Sequence, residues 1–187
     1  MANAFRAFVM TIVILVPAAV QAAMWEFSGG LNIEQSVAAG ATTVPSPYFG
    51  GGFVTASLDD LSGLFSWTFG FGGLSDDATA AHFHAAAAGS VGPFIVTTPV
   101  SGTVGSFSGS VTLTDITLSG AIAALTDDGS FVPGDITGWY LNIHTDLNPG
   151  GELRAQLFVT GVVIPVPAAL WLMVSALGVI VGYRRLV

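Results

Sequence analysis

Asn142-Ile143-His144-Thr145-Asp146-Leu147-Asn148-Pro149-Gly150-Gly151-Glu152-Leu153-Arg154-Ala155-Gln156-Leu157 brings together a turn signal, two alternating runs and most of the polar functional groups of the chain. Upstream, Trp139, Leu141 and Ile143 alternate with Tyr140, Asn142 and His144. A side-chain period of two places these sets on opposite faces of a strand. Asn148-Pro149-Gly150-Gly151 then interrupts the run, because proline fixes φ and both glycines tolerate the positive φ of a reversal. Downstream, Leu153, Ala155, Leu157 and Val159 alternate with Glu152, Arg154 and Gln156. The pattern predicts an antiparallel hairpin with one apolar face. The other face carries Asn142, His144, Glu152, Arg154 and Gln156, with Glu152 and Arg154 expected to pair at the surface for about 0.5 kcal/mol. The loop is longer than a two-residue turn, so the strand register is left open.

The chain has 187 residues, of which 52% are hydrophobic and 9% charged. Its mean hydropathy of +0.74 is high for a soluble domain, and the two ends carry the excess. Residues 1–22 hold one cation, Arg6, an apolar run from Phe8 to Val16, then Pro17 and Val20-Gln21-Ala22. This predicts a secretory signal helix cleaved after Ala22, the alternative being an uncleaved anchor for which the apolar core is short. At the other end, Ile164 to Val181 is an uncharged run followed by Arg184-Arg185. As a helix, roughly 18 residues span ~27 Å, enough for one transmembrane segment with its basic end in the cytoplasm.

Residues 23–163 form the expected domain. They hold all twelve acidic residues against Arg154 alone, a net charge of −11. That balance makes nucleic acid and anionic lipid poor partners. No cysteine is present, so packing or a bound ion must hold the fold. Gly, Val, Thr and Phe are frequent and no long stretch shows a helical period, which predicts strands over Trp25–Asn32, Gly52–Leu58, Leu64–Phe71, Ala80–Ala85, Phe94–Thr98, Val104–Leu113, Trp139–His144 and Glu152–Thr160. The fold class is all-β, an antiparallel Greek-key-like sandwich between a signal helix and a transmembrane helix. Leu113 to Asp128 is ambiguous and reads as one short helix with Ser119 as its N-cap.

The three histidines are His82, His84 and His144. His82 and His84 share one strand face, and His144 lies opposite the Trp139, Leu141, Ile143 face. If the two strands are neighbours, three imidazoles converge with an open position, which suits Cu or Zn. The alternative is a set of polar residues bonding loops beside a turn. Catalysis by Glu152 lacks a partner other than Asp146, and no nucleophile elbow or phosphate loop occurs. The doublets Asp59-Asp60, Asp76-Asp77 and Asp127-Asp128 fit turn chemistry better than a calcium loop.

Two stretches carry a family resemblance. The hairpin is similar to the closing motif of the CHRD domain, in which a strand ending in His-Thr precedes an Asn-Pro-x-Gly-Glu-Leu-Arg turn and strand. His82-Phe83-His84-Ala85-Ala86-Ala87-Ala88-Gly89, running on to Gly92-Pro93, resembles the family's earlier His-x-His motif. The likeness covers roughly Gly50 to Val159, with Ala155 where the family usually has glycine. It implies a non-enzymatic binding or structural module of the cell envelope or extracellular matrix. Val163-Ile164-Pro165-Val166-Pro167-Ala168-Ala169-Leu170, with Arg184 and Arg185 beyond, resembles a VPLPA-type PEP-CTERM sorting tail in which Val166 replaces leucine. That resemblance implies an exosortase-like sorting enzyme as partner and a polysaccharide matrix as surroundings. It also implies export across the inner membrane of a Gram-negative bacterium, through a membrane-tethered precursor.

Overall fold

A computed structural model of the chain describes residues 22–38, 40, 49–113, 136–163 and 173–178. The chain divides into one unit spanning Ala22–Pro165 and a second comprising Met1–Gln21 and Val166–Val187. Of the second, residues 173–178 are helical. No helix among the described residues is long and apolar enough to cross a membrane. The expected signal helix, most of the expected sorting tail and the ambiguous 114–128 stretch lie outside the described residues.

The first unit is built from eight strands in chain order: β1 (Met24–Asn32), β2 (Gly51–Asp59), β3 (Leu64–Gly72), β4 (Ala78–Ala85), β5 (Phe94–Thr98), β6 (Gly105–Thr112), β7 (Ile136–Thr145) and β8 (Leu153–Val163). One short helix, α1 (Ile33–Ala38), follows β1. Sequence reasoning missed α1, since six residues are too few to show a helical period. Its start is nevertheless marked: Asn32 Oδ1 accepts the Gln35 amide at 2.9 Å, the bond of an N-cap.

The strands form one hydrogen-bonded antiparallel sheet in the order β5-β4-β7-β8-β1-β2-β3-β6. The expectation of two stacked sheets is therefore corrected: a single sheet curls almost into a barrel. Inward residues are the same in both architectures, because alternation records the buried face and not the pairing. In β3, Phe65, Trp67, Phe69 and Phe71 are buried. Phe65 meets Phe83 of β4 edge-on at 5.0 Å and Trp139 of β7 at 5.3 Å, so rings from distant strands touch across the interior. Such pairs contribute ~0.5–1.5 kcal/mol each beyond the area they bury. The indole Nε1 of Trp67 donates to Thr98 Oγ1 at 3.2 Å, which ties β3 to the edge strand β5. Between β5 and the other edge, β6, the wall remains open as a gap lined by Ile95, Thr97, Ser108 and Ser110.

The β7–β8 hairpin forms as expected, in the register Leu141↔Ala155, Asn142↔Arg154 and Ile143↔Leu153. Trp139, Leu141, Ile143, Leu153, Ala155 and Leu157 are fully buried. Of the two turn glycines only Gly151 has positive φ, +116°. A Cβ there would run into the Asn142 carboxamide. Gly150 has no positive φ; its carbonyl accepts the Asn142 side-chain N–H at 3.0 Å. Gly151→Ala should accordingly lose more than about 1 kcal/mol of stability, and Gly150→Ala much less. Chemical denaturation of the two variants checks this; equal losses would contradict the turn described.

Of the described aspartate doublets, Asp59 and Asp76 bond locally in turns, while Asp60 ties its turn to the start of β1. Asp59 Oδ1 accepts the Leu61 and Ser62 amides at 3.0 and 2.8 Å, closing the β2–β3 turn. The Ser62 amide is the chief cause holding its carboxyl below the ordinary value. Asp60 accepts the Ala23 amide at 2.7 Å, and Asp76 Oδ1 accepts the amide of Asp77 at 2.8 Å. Asp127-Asp128 lies outside the described residues.

Candidate metal centre

β4 pairs antiparallel with β7, placing Ala80 opposite His144, His82 opposite Asn142 and His84 opposite Tyr140. The neighbouring-strand condition for a three-histidine cluster is thus met. His82, His84 and His144 each offer a ring nitrogen, and these atoms all lie within 4.8 Å of one another. His82 Nδ1 and His144 Nε2 are 3.3 Å apart. The exposed Phe94 ring lies 5.2 Å from the His82 ring.

Two backbone carbonyls orient the rings. His84 Nδ1 lies 2.9 Å from Gly92 O, and His144 Nδ1 lies 2.9 Å from Pro149 O. A carbonyl only accepts, so each Nδ1 carries the proton and each Nε2 keeps its lone pair. Carbonyl-oriented imidazoles are the arrangement that metal-ligating histidines use. His84 Nε2 is buried and has no hydrogen-bond partner among the described residues. An unpartnered buried nitrogen costs free energy unless something binds it.

Burial is the largest cause lowering the affinity of all three rings for protons. The neighbouring His144 adds to it at His82, while His144, His82 and Arg154 add at His84. At His84 and His144 the carbonyl bonds act in the opposite sense but do not reverse the direction. Neutral imidazole is the ligating form. The cluster contains neither thiolate nor carboxylate, so its donor set fits Cu or Zn and not calcium or magnesium.

Asn142, Glu152, Arg154 and Gln156 are interior while Asp146 is exposed, which corrects the expected surface ion pair. Glu152 is 0% and Arg154 1% exposed, and no bond joins them. Glu152 turns toward the β3–β4 loop. Its Oε1 accepts the Ser75 amide at 2.6 Å, and its Oε2 accepts the Ser75 hydroxyl at 2.6 Å, the Thr145 hydroxyl at 2.8 Å and Asn148 Nδ2 at 3.2 Å. Arg154 turns toward the β4–β5 connection, residues 86–93, donating to Ser90 O at 2.6 Å and Ala87 O at 3.1 Å. Gln156 donates to Ala86 O at 3.1 Å, and its own amide donates to Gln35 Oε1 of α1 at 2.8 Å. The 86–93 connection and α1 therefore cover the face that alternation marks as polar. Tyr140, not singled out by sequence as a site residue, stacks on His84 at 4.9 Å and 6°. Its place beside His84 follows only from the β4–β7 register.

A family model for the CHRD domain matches residues 28–157. The chain belongs to the CHRD domain family. The match begins before Gly50, so the second half of β1 and all of α1 are part of the CHRD domain, and it contains all three histidines. No curated protein and no solved structure matches the chain. Family membership accords with a non-enzymatic binding or structural module.

Proposed function

We propose that this CHRD domain is a non-enzymatic metal-binding module that holds one Cu or Zn ion through His82, His84 and His144. The observation that carries the reading is His84 Nε2, buried and unpartnered, in a cluster whose ligating atoms lie within 4.8 Å of one another. His82 and His84 on β4 and His144 on β7 would hold the ion, which would supply a Lewis-acidic positive centre between the two strands. The chain's own residues do the positioning: Gly92 O and Pro149 O fix the tautomers of His84 and His144. The test is titration of the untagged protein with Zn(II) and Cu(II) against a competing chelator. One equivalent bound per chain is expected; a stoichiometry well below one would overturn the reading.

The setting we propose is the cell envelope of a Gram-negative bacterium. Residues 1–22 act as a cleaved signal, and the tail with Val163, Pro165, Pro167, Arg184 and Arg185 is read by an exosortase-like enzyme. The mature domain then resides at the surface or in a polysaccharide matrix. The sequence patterns of both ends support this. Mass spectrometry of the exported protein should find Ala23 as first residue and no peptide beyond the tail motif. Recovery of an intact Val187 end in the exported fraction would remove the sorting step.

A further inference from the structure

Arg154 is a buried guanidinium whose hydrogen-bond partners among the described residues are neutral: Ser90 O, Ala87 O and Gln156 Oε1. Burying a cation against neutral acceptors is costly, and a stability role alone would be served as well by an apolar side chain of similar volume. Its location points to a different use. The guanidinium carbon lies 3.5 Å from the centroid of the Tyr140 ring, and Tyr140 in turn stacks on His84. Tyr140 also reaches the same connection from its other end, since its hydroxyl accepts the Gly92 amide at 3.2 Å. Gly92 O is the acceptor that fixes His84 Nδ1.

The path from Arg154 to His84 is therefore double. One branch runs through the stacked Tyr140 ring. The other runs through the carbonyls of residues 86–90 to the Gly92 peptide, which lies so close to Ala85 O that only glycine fits there. The planar fork of arginine suits this task, because it donates to three acceptors while keeping its face on a ring. Lysine offers a point charge with no flat face, and glutamine offers two donors.

We propose that Arg154 is the positioning residue of the metal centre: it pins the 86–93 connection and the Tyr140 ring so that His84 presents Nε2 in the ligating geometry. The inference rests on the metal reading above.

The experiment compares full-length wild type, Arg154→Gln, Arg154→Lys, Tyr140→Phe and His84→Ala. Each is titrated with Zn(II) and Cu(II) against a chelator, and the Cu(II) form is read by electron paramagnetic resonance. Loss of an outer partner of a ligating histidine typically weakens metal binding about 10–100-fold. That range is expected for Arg154→Gln, together with a changed Cu(II) spectrum, and lysine should restore little of it. Tyr140→Phe removes only the acceptor of the Gly92 amide. It should move affinity and spectrum in the same direction by less, and it decides the matter if Arg154→Gln does not fold. Folded Arg154 and Tyr140 variants with lower melting temperatures but wild-type affinity and spectrum would overturn the positioning role. If His84→Ala loses the metal while those variants keep it, the metal reading survives and this inference falls. A wild-type protein that binds no metal overturns both.

Discussion

Glu152→Ala is expected to cost the fold about 3 kcal/mol, because it removes a buried acceptor that several interior donors share. The carboxylate is the acceptor on which the Ser75 amide, the Ser75 and Thr145 hydroxyls and the Asn148 carboxamide converge. Truncation takes this acceptor from the Ser75 amide and the Ser75 and Thr145 hydroxyls, where each donor left unsatisfied costs about 1–3 kcal/mol before any relaxation, while Asn148 Nδ2 keeps Ser75 Oγ at 3.3 Å. The loss belongs to the join between the β3–β4 loop and the β7–β8 turn, since Ser75 is on the first, Asn148 is on the second and Thr145 is the last residue of β7. Glu152→Gln keeps the volume but points an amide N–H₂ at donors, so it should recover less than half of the loss. Urea unfolding of the three proteins measures it. A change below about 1 kcal/mol in Glu152→Ala would show that the carboxylate does not clasp the two loops.

His84→Ala and His144→Ala should each weaken metal binding by more than about a hundredfold, beyond the ordinary cost of losing an outer partner. Each removes one of three nitrogens, and two imidazoles on adjacent strands leave an ion held mainly by water. His82→Ala acts in the same direction, because His82 Nδ1 lies 3.3 Å from His144 Nε2 and is lost with the ring. These substitutions should leave the fold nearly intact, since the lost carbonyl bonds contribute only about 1 kcal/mol each. Chelator competition at fixed pH, with circular dichroism as the folding control, separates the two effects. Folded alanine variants that retain wild-type affinity would dismiss the three-histidine centre.

The sequence made the hairpin and the parity of the histidines legible for a simple reason: alternation is a local property of one strand. Trp139, Leu141 and Ile143 declare the inner face by themselves, and His144 follows as the opposite parity. Whether that opposite face meets solvent is not local. Arg154 and Gln156 are covered by residues 86–90, more than sixty positions earlier, and the Gln156 amide is met by Gln35, 121 positions earlier. No period in β8 records those partners, so alternation alone predicts a surface ion pair where the structure has an interior network. The same limit explains the architecture. A sandwich and a nearly closed single sheet bury the same residues, and the pairings that distinguish them, β3 with β6, β4 with β7 and β1 with β8, join strands far apart in the chain. The turn was half legible: glycine marks where positive φ is permitted, and only packing against Asn142 selects Gly151 over Gly150 as the residue that uses it.

The place of β1 in the sheet has a consequence for when the domain can fold. Its two neighbours are β2, the next strand made, and β8, the last. Met24 lies opposite Val163, so almost the whole domain separates two residues that must meet. Closing a loop of that length contributes an entropic barrier before the paired strands reward it, and domains dominated by such pairings fold in milliseconds to seconds. While β8 is still inside the ribosome, β1 has one open edge and the sheet has no middle. Topology alone thus makes the last strand made the one that closes the domain.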